Sequence, residues 1–466
     1  MIPFFPKAIS NKGLTLYFIS LAVVSVAFMS HAIDTVWMVL GIVEITLFFV
    51  LSASLSQQWQ NIPSRVFVKK VFWIALLLRV AWVVFSYYFY SYQTGEPFEF
   101  DAADSRGYHG DATWLARASW GVVWDYLFAS RSGYSDSGYV LYLTVLYKLV
   151  SPNIMIARLL KAVYSSLICL LIYKLTQRTV NEKVGRMAGV FAMLMPNLII
   201  YSGLHLKEME MLFLVVAFLE RADYVLRAER FKAYDVILPI LLGASLFFFR
   251  TVLGVVALFS FVTGLVFMRS KPNAKRRKAV VIAWCVMAAA FFSGGTIINE
   301  VESLWLEREN NQELKREMQT AQGNQWAKYA TGAVMAPMMF VMPFTTLVDT
   351  NQPNQLVMHA GNYVRNFMGV FILLALYVVL FVKKNWRNFA LVGSFVIGYL
   401  GVVSLSGFAN SERFLLPGLP CLIVIWAYGI SVVDKQNYKF VRYWYFIVPV
   451  MEIGWAFFKI GSRGLL

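Results

Sequence analysis

The chain has 466 residues, of which 59% are hydrophobic and only 15% charged. A soluble domain is nearer half apolar and a quarter charged, so this composition excludes an ordinary soluble enzyme and describes a polytopic membrane protein. The formal net charge of +16 would suggest nucleic acid in a soluble chain. Here the basic residues sit in short loops between apolar runs, so they report topology and exclude a nucleic-acid partner.

A membrane-spanning helix needs ~20 apolar residues. Runs of that kind occur at 14–31, 35–54, 71–91, 153–175, 185–203, 207–226, 234–250, 251–268, 279–298, 365–383, 388–406, 413–433 and 443–460. The pattern predicts an all-α bundle of about 11–13 transmembrane helices. Two further apolar stretches, 137–150 and 331–348, are short or broken by Pro337 and Pro343, and read as interfacial or re-entrant segments. Lys7 and Lys12 lie before or at the head of the first run without a small-residue cleavage site, so that run is expected to be a retained helix. Cys169, Cys285 and Cys421 all fall inside apolar runs with no partner spacing, which argues against a disulfide framework or a thiolate metal site.

Basic residues follow alternate runs: Arg65, Lys69 and Lys70; Lys174, Arg178, Lys183 and Arg186; Arg221, Arg227, Arg230 and Lys232. Arg269 to Lys278 is the densest cluster, and Lys383, Lys384, Arg387, Lys435, Lys439 and Arg442 complete the series. All fall on one side if the spans alternate from an inside N-terminus. This expects a multi-pass protein of the plasma membrane whose acidic loops face outward. One of those loops, 92–136, carries Glu96, Glu99, Asp101, Asp104, Asp111, Asp125 and Asp136. The other, 299–330, is rich in glutamate and reads as a solvated helical face.

Within the first loop, Asp104, Tyr108, Asp111 and Leu115 recur at i, i+4, i+7 and i+11, one face of a helix. Further along, acidic residues alternate with Trp114, Trp120, Trp124, Tyr126 and Phe128. Such a segment is expected to lie in the headgroup plane of the bilayer, aromatic side down. Acids at the mouth of a membrane helix are costly unless they do chemistry, bind a cation or stay wetted.

Three more polar features sit at outer ends of predicted helices. His205-Leu206-Lys207-Glu208 follows the turn Tyr201-Ser202-Gly203, Arg250 is wedged between Phe249 and Thr251, and Asn410-Ser411-Glu412-Arg413 precedes Phe-Leu-Leu-Pro. Together they suit transfer from a lipid phosphate. Asp104 can take a proton from an acceptor hydroxyl. Arg250, Arg413 and Lys207 can hold the leaving phosphate, with Tyr108 and His109 as further substrate contacts. Glu208 can assist the base or complete a cation site. Blander readings exist for each: Glu208 can pair with Lys207 at a helix start, and Arg413 can snorkel. His31, His109, His205 and His359 all lie near outer ends, which leaves a divalent cation open, although none has HxxxH-like spacing.

The motif order Asp104-x-x-x-Tyr108, Gly138-Tyr139, Asn153 to Arg158, Pro196-Asn197 with Lys207-Glu208, and Glu412-Arg413 with Pro417 resembles the GT-C superfamily of integral membrane glycosyltransferases. Within it the likeness is to the bacterial branch related to protein mannosyltransferases (family 39-like). It runs over about residues 71–433 and is densest from 100 to 226. The resemblance implies a GT-C-like core at 71–433 with outer loops 92–152 and 299–364, two leading helices in 1–70 and a last helix in 434–466. It also implies an inverting transfer from a polyprenyl-phosphate-linked sugar to a glycolipid, polysaccharide or protein acceptor outside the cytoplasm. It maps the catalytic acid to Asp104 and the second carboxylate to Glu208. Many relatives carry Asp-Glu where this chain has Asp104-Ser105, so Asp101 and Asp111 stay open as the base. A polysaccharide polymerase or ligase using a diphosphate-linked donor, and a lipid or glycan transporter, are the competing expectations.

Overall fold

The computed structural model describes residues 2–129, 135–228, 232–268, 338–405 and 411–461. The expected span at 279–298, the basic cluster at 269–278, Cys285 and the loop at 299–330 lie outside them. So do Arg131, Arg230, Pro337 and Asn410, and the Phe128 side chain is not described. Among the described residues the regular structure is helical, with one isolated antiparallel bridge between Ala32 and Val348.

The helices in chain order are α1 (Lys7–Ala27), α2 (Thr35–Gln58), α3 (Ser64–Thr94), α4 (Ala103–Arg117), α5 (Trp120–Ala129), α6 (Ser137–Leu149), α7 (Ile154–Thr179) and α8 (Glu182–Leu194). They continue as α9 (Pro196–Gly203), α10 (Glu208–Arg227), α11 (Ala233–Phe249), α12 (Thr251–Phe267), α13 (His359–Val382), α14 (Trp386–Ser404), α15 (Glu412–Ser431) and α16 (Tyr438–Gly461). Among the described residues seven helices, α1, α2, α3, α7, α13, α14 and α15, are long and apolar enough to cross a bilayer, and the pair α8–α9, bent by 54°, makes an eighth if counted as one span. The chain is an all-α polytopic membrane protein. The runs at 207–226, 234–250, 251–268 and 443–460 also form helices. However, α11 and α12 are short, and α10 carries six charged residues between Glu208 and Arg227.

Pro196 explains the bend. A proline lacks the N–H that would close the helical ladder, and its ring crowds the carbonyl four residues back, at Ala192. The carbonyls so freed would be orphaned inside the bilayer. Arg79 of α3, wholly buried, accepts that role. Its guanidinium donates to the Ala192 oxygen at 3.1 Å and the Met193 oxygen at 3.2 Å, and to Ser165 Oγ of α7 at 2.5 Å.

Charged ends pack by pairing. Arg178 of α7 bridges Glu220 (2.9 Å) and Asp223 (3.0 Å) of α10, while Arg227 pairs with Asp223 (2.7 Å) and reaches the Asn388 carbonyl. Arg186 binds Glu182 and the carbonyls of Trp59 and Ile62. The basic loops near 60, 180, 225 and 385 thus gather at one end of the bundle, and the N-terminus joins them through Ile2 N–H to the Ser431 oxygen. The acidic loop and the 204–208, 250 and 411–414 turns collect elsewhere, which is the segregation the charge bias requires.

Close packing in the centre rests on a glycine. A Cβ on Gly429 of α15 would lie 2.0 Å from the Phe371 oxygen of α13. Small residues let membrane helices approach where no hydrophobic force drives them together. Gly429→Val is therefore expected to separate α13 from α15 and cost about 1–3 kcal/mol or more. Thermal unfolding in detergent checks this, and an unchanged midpoint would show that the contact is slack.

Candidate active site

Three acids occupy first turns of helices: Asp104 in α4, Glu208 in α10 and Glu412 in α15. Each faces the positive end of its helix. Arg413, next to Glu412, joins two of them: its Nη1 donates to Asp104 Oδ2 and its Nε to Glu208 Oε1. A single guanidinium therefore ties α4, α10 and α15 together. Asp104 is 56% exposed at the side chain and Glu208 only 1%, so one acid faces outward and the other is held within the protein. The third, Glu412, accepts from Asn197 and, at 3.4 Å, from the Tyr201 hydroxyl.

The turn carrying Lys207 and Glu208 is fixed from three sides. A Cβ on Gly203 would lie 2.4 Å from Ser86 Oγ of α3, so only glycine permits this approach. Trp82 donates to the Ile200 oxygen at 3.1 Å. Lys161 of α7, wholly buried, donates to the oxygens of Leu204 (2.8 Å) and Leu206 and pairs with Glu210 at 3.5 Å. Asn153 caps the helix that presents Lys161, accepting from Met155 N at 2.9 Å.

Lys207 does not pair with Glu208. Its ammonium binds Asp136 and lies 5.9 Å from the centre of the Tyr108 ring. Arg250, at the α11–α12 junction, stacks 4.4 Å from the Phe414 ring centre and hydrogen-bonds the Tyr399 hydroxyl, which itself donates to the Phe414 oxygen at 2.8 Å. Its Nη1 is buried and has no hydrogen-bond partner among the described residues, and the same holds for Glu208 Oε2. Arg250 lies within electrostatic reach of Glu208 and Asp136. Asp104, Tyr108, Lys207, Glu208, Arg250 and Arg413 thus share one region. Its cations are anchored by acids, and one buried N–H remains to be met.

A cavity of about 560 Å³ opens beside this group, with Asp104, Glu412, Arg413 and Tyr201 on one wall and the 343–362 segment and α16 on the other. Of the alternative bases, Asp101 also lines it, at a left-handed φ of 52° just before α4. Asp111 turns away and accepts from Tyr126 of α5 at 3.1 Å, so the expected four-residue face is divided: Leu115 is buried and Asp111 exposed. Arg413 is an ion-pair bridge, not a snorkelling side chain.

His109 belongs to a separate cluster. Its Nδ1 contacts the Tyr147 hydroxyl at 2.9 Å, which also meets His205 Nε2 at 3.3 Å. His359 binds the Tyr17 hydroxyl instead. Among the described residues no group of three or more His, Cys, Asp or Glu has the geometry to hold a metal. Between Asp104 and Glu208, where a cation could have been shared, stands the Arg413 guanidinium. The sequence assigns no role to Asp136, Glu412, Glu99 or Lys161, although Glu412 stands in the motif with Arg413. Their partners are remote in sequence, and only the first-turn position of Glu412 was a local signal.

Burial lowers the His205 pKa well below its usual 6.5, and the positive charges of Lys161 and Arg158 lower it further; burial also lowers His109. Both rings stay neutral at pH 7. The unfolded chain takes up their protons first as pH falls below 6.5, so stability is expected to drop from pH 7.5 toward pH 5. Thermal midpoints of wild type and His205→Gln across this range check it. The variant should show a shallower loss, and parallel curves would refute the assignment.

No protein-family model and no curated protein matches this sequence. Among solved structures, the chain is similar to the archaeal oligosaccharyltransferase AglB from Archaeoglobus fulgidus in complex with an inhibitory peptide and a dolichol-phosphate. That match has a TM-score of 0.47 and 14% identity, over 86% of this chain and 56% of that one. A second, the Archaeoglobus fulgidus oligosaccharyltransferase in complex with Zn and sulfate, gives 0.42 and 13%, over 85% and 53%. This chain spans about half the length of the structures it matches.

Proposed function

We propose that the chain is an inverting GT-C-type glycosyltransferase that moves a sugar from a polyprenyl-phosphate donor to an acceptor hydroxyl at the extracytoplasmic face of the plasma membrane. The observation that carries this reading is the bridge Asp104–Arg413–Glu208, of which Asp104 and Arg413 line a cavity. Asp104, exposed at that cavity, takes the acceptor proton as the acceptor oxygen attacks the anomeric carbon from the face opposite the phosphate. The bond from that carbon to the phosphate oxygen breaks, and the lipid phosphate leaves with the electron pair. The buried Arg250 Nη1 and the Lys207 ammonium meet the charge on that phosphate. Glu208, deep in the protein, holds Arg413 and so the orientation of Asp104. The gathering of basic loops away from the site supports the extracytoplasmic side for it. The acceptor belongs to a glycolipid, a surface polysaccharide or a protein.

The test is lipid-linked glycan profiling by mass spectrometry in the native host, a deletion strain and the complemented deletion. The expected result is accumulation of a polyprenyl-phosphate monosaccharide and loss of one sugar from a surface glycan, both reversed by the wild-type chain. Accumulation of a diphosphate-linked oligosaccharide would move the assignment to a polymerase or ligase. Unchanged lipid-linked glycans would remove the transferase reading.

A further inference from the structure

The cavity beside Asp104 has a wall chemistry of its own. Its buried lining side chains include Glu99 (5% exposed), Asn362 (6%) and Trp455 (8%). Each carries a buried polar atom with no hydrogen-bond partner among the described residues: Glu99 Oε2, Asn362 Oδ1 and Trp455 Nε1. They come from three separate parts of the chain: the loop before α4, the first turns of α13, and α16. Leaving such atoms unmet costs about 1–3 kcal/mol each, which is sustained where a ligand meets them. The other oxygen of Glu99 is fixed by the Ser105 hydroxyl, so the free one is oriented. The Trp455 ring is held between Phe458 (centroids 5.2 Å) and Phe344 (5.3 Å), with Lys459 Nζ 5.3 Å from its centre.

We infer that this chamber binds the acceptor as a sugar, with Glu99 and Asn362 accepting from its hydroxyls and the Trp455 N–H donating to one of its oxygens. This rests on the transferase reading above and narrows its acceptor to carbohydrate. Two acceptor atoms and one donor, carried by side chains that line one space, call for a ligand that offers several O–H groups, each able to give and to accept. A lipid chain offers none, and an anion would meet a lining in which Glu99, Asp101, Asp104 and Glu412 outnumber Arg413 and Lys459. The phosphate-holding cations Arg250 and Lys207 do not line the chamber. The cations assigned to the donor phosphate therefore lie outside the lining of the space assigned to the acceptor. Phe100, Phe344 and Met358 supply apolar wall for the C–H faces of a sugar ring, and the volume lies within the ~300–1,000 Å³ of small-molecule sites.

The test uses the full chain in lipid nanodiscs and saturation-transfer NMR with methyl hexopyranosides, one sugar at a time, and in parallel a serine- and threonine-containing hexapeptide. At least one glycoside should show saturation at its ring C–H protons, and the peptide should show none. Trp455→Phe, which keeps an aromatic ring but removes the N–H together with the pyrrole half of the indole, should weaken that glycoside about fivefold, and Asn362→Leu likewise. Glu99→Gln should weaken it about tenfold or more. Peptide binding without sugar binding would overturn the inference, as would folded Trp455→Phe and Asn362→Leu proteins that bind the glycoside like wild type. Binding of a polyprenyl phosphate to the wild type is measured separately by ³¹P NMR. Lipid-phosphate binding with no glycoside binding defeats this inference alone. Glycoside binding that depends on these side chains, without lipid-phosphate binding, upholds the sugar chamber and defeats the transferase reading.

Discussion

Asp104→Asn should lower transfer about 10²–10⁴-fold, the usual contribution of a positioned general base. It should leave the amount of folded protein in the membrane unchanged. The amide matches the carboxylate in shape and can still present an oxygen to Arg413, but it cannot take a proton from the acceptor. Little stability is at stake, because the Asp104 side chain is 56% exposed and an exposed ion pair contributes about 0–1 kcal/mol. Glu208→Gln provides the contrast. That carboxylate is only 1% exposed, so weakening its bond to Arg413 loosens α10 against α15, and activity and stability should fall together. Initial rates with a lipid-linked donor, read beside thermal midpoints, separate the two cases. An Asp104→Asn protein with wild-type rates would move the base to Asp101, which lines the same cavity.

The second large effect is on folding. Arg79→Leu should destabilise the bundle by about 3 kcal/mol or more, because charged hydrogen bonds of ~1.5–3 kcal/mol are lost and two carbonyls are left unmet. The loss is greater in a bilayer, where no water replaces the donor. Arg79→Lys should recover only part, since one ammonium cannot span the Ala192 and Met193 oxygens and Ser165 as a planar guanidinium does. Thermal unfolding and protease resistance in detergent measure both variants. A normal midpoint for Arg79→Leu would mean that the carbonyls freed at Pro196 find another donor and that the arginine has a different purpose. The bend at Pro196 leads directly into the turn that carries Lys207 and Glu208, so a loosened bend should also reduce transfer.

Much of this was legible in the amino-acid order. Length and hydropathy of the apolar runs predicted helices that the structure contains, because burying a backbone in lipid leaves helix as the available form. Charge bias separated the two ends, and Asp104, Lys207, Glu208, Arg250 and Arg413 were nameable because an ionised group beside a membrane needs a reason. The apolar stretch after the acidic loop, 137–150, reads as a short interfacial or re-entrant segment and forms the 13-residue helix α6. The sequence groups His109 with its neighbour Tyr108 as a substrate contact, but a helix turns neighbours about 100° apart, and the His109 ring joins Tyr147 and His205 instead.

Which charge meets which was decided only by the tertiary structure. Lys207 stands next to Glu208 in sequence yet pairs with Asp136, while Glu208 pairs with Arg413, 205 residues away. Glu99, Asn362 and Trp455 carry no shared local pattern, and they line one chamber because the loop before α4, α13 and α16 meet there. The physical reason is one of range. Hydropathy, helix periodicity and proline geometry act over a few residues and are written locally in the chain. Ion pairs and cavity walls depend on how whole helices dock, and docking is settled by the summed packing of side chains that the sequence keeps hundreds of residues apart.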